Sequence, residues 1–425
     1  MKNSIEPNCQ SSYHLISQSL PMMKGWAIIW IVAYHLMGNT KGYLNLDETM
    51  ATLSKGELKN ILEGVLDLLI SAGSTGVNVF LVISGFGLTA SWWKRHGSQG
   101  DYTIHLVDFW QKRVFRIFPL FWVAVVLSLL FYFIEPNFAP FGGEVWSAGI
   151  VSALGAVLAT VSTLRNFIPD YYYFLNGAWW YIGLSLQLYL VFPFLVAKGL
   201  AWGWPKLLFR ALLFSLAYRT VCTFLPATDV YRTIALAFFP ARLFEFTFGM
   251  YLAMAFTLPH SHQKTPGNKL YQSIRALLFN PRFLIVNFCC FGSGLILKWL
   301  NQSSVGAIGG IFQEVPITIG LFCGLVCVLQ SGCFKLPAAW PLRDVIHSAI
   351  SETIRKGVGT IGKYSYGIYL THMNIYLVLW PVGRVLVPSY WMRFLAIALL
   401  CFAIGIGFEL GYGWLQRRSR LQISS

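Results

Sequence analysis

The chain has 425 residues, of which 56% are hydrophobic and only 12% are charged, against about 25% charged in an ordinary soluble domain. So few charges do not cover a water-facing surface of this size, which excludes a soluble globular protein and predicts that lipid solvates most of the chain. The net charge of +15 does not by itself indicate nucleic acid, because membrane proteins concentrate Lys and Arg in cytoplasmic loops.

Ten apolar stretches are each long enough for a transmembrane helix of about 20 residues. They lie near 23–39, 68–90, 117–134, 178–197, 208–225, 234–257, 283–300, 307–330, 364–383 and 391–415. An eleventh stretch, 145–163, is rich in Gly, Ala and Ser, and its hydropathy does not decide whether it spans. The sequence predicts an all-α polytopic membrane protein with about ten transmembrane helices.

The distribution of charge decides the topology. With ten spans, most of the 32 Lys and Arg residues lie on the side that holds both termini. If 145–163 also crossed, the basic groups within 198–210 and 264–282 would change sides and the bias would largely vanish. The positive-inside rule therefore predicts that both termini are cytoplasmic. It makes 145–163 a re-entrant or interfacial segment on the outer face.

The chain is predicted to form one membrane domain over 23–415, between a cytoplasmic tail at 1–22 and a basic cytoplasmic tail at 416–425. The polar N-terminal residues and the lack of a small-residue cleavage site predict no cleaved signal peptide. The eight cysteines lie mostly in apolar stretches, without CxxC or metal-ligand spacing. We interpret them as reduced, packed thiols, and no metal is required.

Ionisable residues inside apolar segments are costly, so each is a candidate functional group. His35 lies eleven residues after Lys24 in the first span, about 16 Å along a helix and near the bilayer midplane. His372 lies about nine residues into a later span. For both histidines the alternative is a structural hydrogen bond between helices.

Three acidic residues, Glu245, Glu314 and Glu409, also lie in apolar segments. Arg242 and Glu245 are three apart and can pair on one helix, which favours a structural role. Glu314 and Glu409 have no partner that the sequence can assign, and no site is predicted for either.

A basic run, 112–119, begins the third predicted span. It is either an ordinary positive-inside anchor or a phosphate clamp, since Arg113 and Arg116 are three apart and share a helix face. The glycine-punctuated stretch 76–88, with Ser84 and Gly85 at its centre, predicts a tightly packed or kinked helix.

Taken in their order along the chain, these motif-bearing segments resemble those of the integral-membrane acyltransferase 3 family, whose members O-acylate cell-surface glycans and related molecules. Five blocks that cover most of the chain carry the resemblance. They are Lys24 with His35; 76–86, which contains Asn78 and Ser84; Arg113, Arg116, Ile117 and Pro119; 180–193, which contains Gln187; and Ser365, Tyr366, Tyr369, Leu370 and His372.

The chain departs from the family pattern at three positions. Lys24 stands where the family usually has Arg, Asn78 where it has an acidic residue, and Ser185 where many members have Glu. These departures suit a self-consistent subgroup of the family; if the Glu that many members have takes part in their chemistry, this chain uses another group or belongs to a subgroup without it. We also expect no appended extracytoplasmic hydrolase-like domain of the kind that some members carry.

The resemblance implies transfer of an acyl group, most often acetyl, from cytoplasmic acyl-CoA to a hydroxyl of an extracytoplasmic glycan or lipid-linked sugar. Arg113, Arg116 and Lys24 would hold the phosphates of this donor substrate, and no permanently bound cofactor is expected. His35 would act as base or nucleophile. His372 would be a second acid/base or positioning group.

Four supporting residues complete the predicted site. Ser84 and Tyr366 are candidate donors to the thioester oxygen, and Asn78 and Gln187 are supporting residues of their blocks. A bacterial inner membrane is the expected location. The alternatives are a transporter or flippase of a glycan intermediate, which would show no acyl-CoA turnover, and an inactive family member, which would bind CoA without turnover.

Overall fold

The computed structural model describes residues 8–42, 54, 57–96, 100, 102, 104–134, 142–225, 228–257, 269–300, 306–331 and 343–423. Every regular element in these ranges is a helix, which confirms the all-α prediction. The first eight α-helices are α1 (Asn8–Gly38), α2 (Leu58–Ser71), α3 (Gly76–Arg95), α4 (Leu106–Ile134), α5 (Gly142–Ser147), α6 (Ile150–Val161), α7 (Trp180–Trp202) and α8 (Trp204–Phe224).

Nine more α-helices follow in the described part of the chain. They are α9 (Asp229–Leu236), α10 (Leu243–Thr257), α11 (Lys269–Phe279), α12 (Leu284–Leu300), α13 (Gly306–Phe312), α14 (Glu314–Ser331), α15 (Arg343–Lys363), α16 (Ser365–Leu386) and α17 (Tyr390–Ile423). Helix α1 begins well before residue 23, and α17 continues into the basic C-terminal segment, so parts of both predicted tails are helical.

Seven stretches of the described residues are long and apolar enough to cross a membrane, and the bent pair α9–α10 makes an eighth. The chain is therefore a multi-pass membrane protein. Two of the ten predicted spans fall outside this set for physical reasons. The apolar part of α14 has only 17 residues (Glu314–Gln330), and α16 carries polar residues that lower its mean hydropathy.

The segment near 145–163 forms two short helices rather than a span. Helix α6 has 12 residues, about 18 Å of rise, whereas the hydrocarbon core of a bilayer is about 30 Å thick. A chain of 3₁₀ turns follows between residues 164 and 179 and leads into α7. The structure thus agrees with the interpretation of 145–163 as a segment that does not cross.

Helices α1, α3 and α10 form the centre of the bundle. Residues of all three share one core cluster, in which Met23, Val82, Phe86, Phe248 and Leu252 are almost fully buried. The other face of α1 packs on α16 and α17 through a second cluster. Helix α1 therefore links the two halves of the bundle and places its own polar residues between them.

Glycines set the separation of α3 and α10. A Cβ on Gly85 would lie 2.0 Å from the Phe246 carbonyl oxygen, and a Cβ on Gly249 would lie 2.0 Å from the Val82 carbonyl oxygen. Backbone atoms cannot retreat as a side-chain tip can, so both positions require glycine at this crossing. Gly87, on the same helix, has open space around its Cβ position.

We expect Gly85→Ala to lower the free energy of unfolding by about 1–3 kcal/mol, since the added methyl group overpacks the α3–α10 crossing. Gly87→Ala is the matched control and is expected to be neutral or slightly stabilising, because alanine favours the helix. Thermal unfolding of the detergent-purified variants measures both. Equal unfolding temperatures for the two variants would contradict this account of the crossing.

Candidate active site

Two histidines that lie far apart in the sequence meet between α1 and α16. Nδ1 of His35 lies 3.0 Å from Nε2 of His372, and the two ring centroids are 5.2 Å apart. His372 is fully buried, whereas His35 is half-buried. The fold thus joins the two predicted catalytic residues into a hydrogen-bonded dyad with one accessible member.

The backbone fixes the tautomers of this dyad. Nδ1 of His372 lies 3.1 Å from the Ile368 carbonyl oxygen and 2.9 Å from that of Tyr369. Carbonyl oxygens only accept, so Nδ1 of a neutral His372 carries the proton and its Nε2 accepts from Nδ1 of His35. The lone pair of His35 then lies on Nε2, which has no hydrogen-bond partner among the residues that the structure describes. In this arrangement His35 carries the free lone pair, and His372 fixes its tautomer and orientation.

The segment at residues 164–179, here called the anchored loop, supports the dyad from one side. Arg165 is almost fully buried at its centre and donates to the backbone carbonyls of Phe174 (2.8 Å), Asn176 (2.9 Å) and Tyr172. Burial lowers the pKa of Arg165 to about 10, so the guanidinium remains charged at neutral pH. One arginine therefore holds the loop in its folded shape.

The anchored loop is bonded to α16 close to His372. Nδ2 of Asn176 donates to Oδ1 of Asn374 (2.6 Å). The Asn374 side chain donates in turn, through its Nδ2, to Oγ of Ser128 (3.0 Å). The Trp179 indole donates to the Leu370 carbonyl (3.0 Å). These bonds from the loop and from α4 fix the turn of α16 that carries the buried histidine.

Basic residues gather around Lys24, which lies in the middle of α1, about three turns before His35. Lys24 is half-buried and lies close enough to Arg116 and Glu409 for electrostatic interaction. Glu409 accepts a hydrogen bond from the backbone N–H of Gly367 (2.8 Å) in the first turn of α16. Arg113 is half-buried and interacts with the neighbouring charge of Arg116, which is exposed. The three residues predicted to bind phosphate thus share one region.

Half-buried polar side chains connect this basic region with the dyad. Arg113 lies close to Tyr189, whose hydroxyl accepts a hydrogen bond from Oγ of Ser84 (3.3 Å). Tyr181 also lies close to Tyr189, and its ring is 5.9 Å from that of Tyr369 between centroids. The Tyr369 ring is in turn 6.1 Å from that of His372. A polar path therefore runs from the arginines to the histidines.

Three predicted supporting residues have partners within the protein. The Tyr366 hydroxyl donates to the Ile117 carbonyl (2.8 Å), and Oε1 of Gln187 accepts from the Phe239 backbone N–H (3.0 Å). Asn78 is buried and donates 2.7 Å to Oε2 of Glu314. The structure gives these three side chains roles that connect helices. Ser84 remains on the polar path.

Asn78 belongs to a buried ionic cluster. Arg219 pairs with Glu245 at 2.9 Å, and Arg242 pairs with Glu245 at 3.5 Å and with Glu314 at 2.9 Å. Lys298 lies close enough to Arg242 and Glu314 to interact with both charges. The predicted local pair of Arg242 and Glu245 is confirmed, but as part of a network that joins α8, α10, α12 and α14.

Sequence reasoning missed several of these residues. Glu314 and Glu409 had no assignable partner because their partners come from helices distant in the sequence. Arg165 and Arg219 were open to detection, since each is an ionisable residue in or beside an apolar stretch, the signal that identified His35. In the described part of the chain no group of three or more His, Cys, Asp or Glu side chains could hold a metal ion.

The model of the acyltransferase 3 family, described as an acyltransferase domain, matches residues 18–410. Among curated proteins, the chain is 24% identical over 351 residues to the peptidoglycan O-acetyltransferase OatA of Listeria monocytogenes. The aligned region covers 79% of this chain and 50% of OatA. It is 22% identical over 360 residues to the putative peptidoglycan O-acetyltransferase YrhL of Bacillus subtilis. That aligned region covers 83% of this chain and 51% of YrhL.

A shorter match, 24% identical over 173 residues, is to the regulator of hypoxia-inducible factor 1 of Caenorhabditis elegans, with 39% of this chain and 31% of that protein covered. The chain spans about half the length of the two bacterial relatives it matches. No solved structure matches it.

Proposed function

We propose that this chain, which belongs to the acyltransferase 3 family and is a membrane acyltransferase, transfers an acyl group from acyl-CoA to a hydroxyl of a glycan across the membrane, with acetyl as the group transferred. The observation that carries the proposal is the 3.0 Å hydrogen bond between His35 and His372, which leaves a lone pair on Nε2 of His35. The names of the two bacterial relatives support peptidoglycan as the acceptor.

The donor binds at the basic end of the polar path. Acyl-CoA carries several phosphate groups, and Arg113, Arg116 and Lys24 supply guanidinium and ammonium groups suited to them. The pantetheine arm extends along the path past Tyr189 and brings the thioester to His35. Lys24 and His35 are eleven residues apart on α1, about 16 Å, so one extended molecule connects the two regions.

At the dyad, Nε2 of His35 removes the proton from the acceptor hydroxyl as its oxygen attacks the thioester carbonyl carbon. The new C–O bond forms, the C–S bond breaks, and the CoA thiolate leaves and takes up the proton. The same lone pair also serves direct attack on the thioester, with an acyl-histidine intermediate that the hydroxyl then resolves. His372 accepts from Nδ1 of His35 in both routes and stabilises the cation that forms.

In the topology that serves this reaction, both termini lie on the cytoplasmic side of a bacterial inner membrane, where acyl-CoA is made, and α1 runs outward from Lys24 to His35. The positive-inside bias supports this orientation. The His35 end then faces the outer side, where the glycan lies.

We expect Arg116→Gln to raise the KM for acetyl-CoA about 10- to 100-fold, because a hydrogen bond between charged groups contributes about 1.5–3 kcal/mol. CoA release by the protein in liposomes, measured against acetyl-CoA concentration, gives KM and kcat separately. Arg210→Gln is the matched control, since Arg210 is exposed and stacks on Trp202.

An unchanged KM in the Arg116 variant would contradict the proposed donor site. If the wild-type protein bound CoA without turnover in the presence of an acceptor, an inactive family member would be the better description. If the wild-type protein neither bound CoA nor released it from acetyl-CoA, a transporter would be the better description.

A further inference from the structure

The buried ionic cluster borders a small cavity of ≈ 20 Å³. The residues that line it are Arg219, Leu236, Arg242, Gly310, Gln313 and Glu314. A cavity of this size holds one water molecule or one monatomic ion, and it is too small for a sugar or a carboxylate group. Arg219 is only 3% exposed, so the cavity lies within the packed bundle. Its occupant is therefore a single small species.

Two guanidinium groups that line the cavity keep unused hydrogen-bond donors. Nε of Arg219 donates to the Ala241 carbonyl (2.9 Å), and its Nη2 pairs with Glu245 (2.9 Å). Nη1 of Arg219 and Nε of Arg242 are buried, and neither has a hydrogen-bond partner among the residues that the structure describes. A charged N–H group that is buried without a partner is strongly destabilising. These two groups therefore call for an acceptor in the cavity.

The charges of the ionic cluster favour an anion over a water molecule. In the described part of the chain the cluster contains three cations and two carboxylates, namely Arg219, Arg242, Lys298, Glu245 and Glu314. Oε2 of Glu314 is already bound by Arg242 at 2.9 Å, so it does not supply the missing partner of Arg219. An uncompensated charge removed from water is strongly unfavourable. A water molecule would leave this imbalance in place, whereas a monovalent anion removes it.

Gln313 supplies a third polar side chain to the cavity. Its Nε2 donates to Oε1 of Glu314 at 3.5 Å, and its Oε1 is buried without a partner within the described ranges. A bond of 3.5 Å is long and weak, so its loss costs little. A half-turn of the amide exchanges its two ends and puts the Nε2 donor in the place of the unpartnered Oε1. An acceptor in the cavity can then receive N–H groups from three side chains.

We propose that this cavity binds one chloride ion, which neutralises the third cation and ties α8 to the segments that begin α10 and α14. Chloride is monatomic, accepts hydrogen bonds without donating any, and carries one negative charge. It therefore meets the requirements of the cavity for size, polarity and charge together. Under the proposed topology these helix ends lie towards the outer side, so the ion enters from the external medium. The site is structural, and it does not depend on the proposed acyl transfer.

The first test compares the thermal unfolding temperature of the detergent-purified protein in sodium chloride, sodium bromide and sodium gluconate at equal ionic strength. Gluconate is monovalent but too large for the cavity. We expect chloride and bromide to raise the unfolding temperature by about 1–3 °C above its value in gluconate, because a ligand that binds only the folded state stabilises that state. Equal unfolding temperatures in the three salts would show that the cavity holds water only, and would overturn the proposal.

A pair of glutamine variants locates the response. Gln313→Glu keeps every ion pair and supplies the missing negative charge from the protein itself, so its unfolding temperature should no longer depend on chloride. Gln416→Glu makes the same change at an exposed position on α17 and should keep the wild-type response. A chloride response that persisted in Gln313→Glu would place the ion elsewhere and overturn this assignment.

Bromide also locates the ion directly in the wild-type protein, so this readout stands even if Gln313→Glu fails to fold. Crystals grown in sodium bromide should show an anomalous scattering peak within hydrogen-bond distance of Nη1 of Arg219 and Nε of Arg242. Diffraction data that showed no bromide at this position would contradict the proposal.

Discussion

Replacement of His35 by Gln is expected to lower kcat for acetyl transfer by about 100- to 10,000-fold, the range that a positioned general base contributes. Glutamine has no basic nitrogen, yet its amide can still donate to Nε2 of His372 and keep the helices in contact. Acetyl-CoA binding should therefore be unchanged, because the donor phosphates lie near Lys24, about 16 Å from His35 along α1. Radiolabelled acetyl transfer and equilibrium binding of acetyl-CoA measure the two quantities separately.

The matched control is His14→Gln, on the same helix, where the histidine is exposed and bonds to Gln18 four residues later. This variant should retain wild-type activity. If His35→Gln turned over at the wild-type rate, His35 would not be the base and the chemistry would have to be assigned to His372.

The second large effect concerns His372, which acts as a positioning residue. His372→Leu removes the acceptor for Nδ1 of His35, so the imidazole loses its fixed tautomer and orientation. We expect kcat to fall by at least about 100-fold, since the wrong tautomer of a catalytic histidine costs up to about 10,000-fold in serine proteases. His372→Gln restores an oxygen that can accept from Nδ1 and should recover most of this loss.

A purely structural role for His372 predicts a different pattern. It would make the Leu and Gln variants similar in rate and would lower their unfolding temperatures together. Nitrogen-15 NMR of histidine-labelled protein reads the tautomer of His35 directly. The proton should lie on Nδ1 in the wild type and in His372→Gln, and should be redistributed between the two nitrogens in His372→Leu. A proton on Nε2 in the wild type would contradict the assignment.

The sequence predicts the all-α, multi-pass character of the chain and eight of the ten spans, because apolar length is a local property of the chain. Residues 145–163 form helices too short to span, as the charge distribution indicated. Two predicted spans, α14 and α16, are not among the helices long and apolar enough to cross a membrane. Helix α14 is too short, and α16 contains polar residues that lower its mean hydropathy. His372 is among the polar residues of α16, so the feature that weakens the transmembrane signal belongs to the site.

The contact between His35 and His372 was not predictable from either segment, since 337 positions separate them and only the packing of α1 on α16 joins them. The same holds for Asn78. Its block suggested a site residue, but the structure pairs it with Glu314, a residue with no partner visible in the sequence. Side chains whose partners lie on distant helices carry no local pattern, which is why the dyad's tautomers and the ionic cluster required the fold.

The most direct test of the account is transfer across a sealed bilayer. Purified protein is reconstituted into liposomes with radiolabelled acetyl-CoA enclosed inside and a peptidoglycan fragment outside, and compared with liposomes that have both reagents outside. We predict label on the acceptor only when the two are on opposite sides, whichever way individual molecules are inserted, and none with His35→Gln. Transfer that requires donor and acceptor on the same side would contradict a path that begins at Arg113, Arg116 and Lys24 and ends at His35.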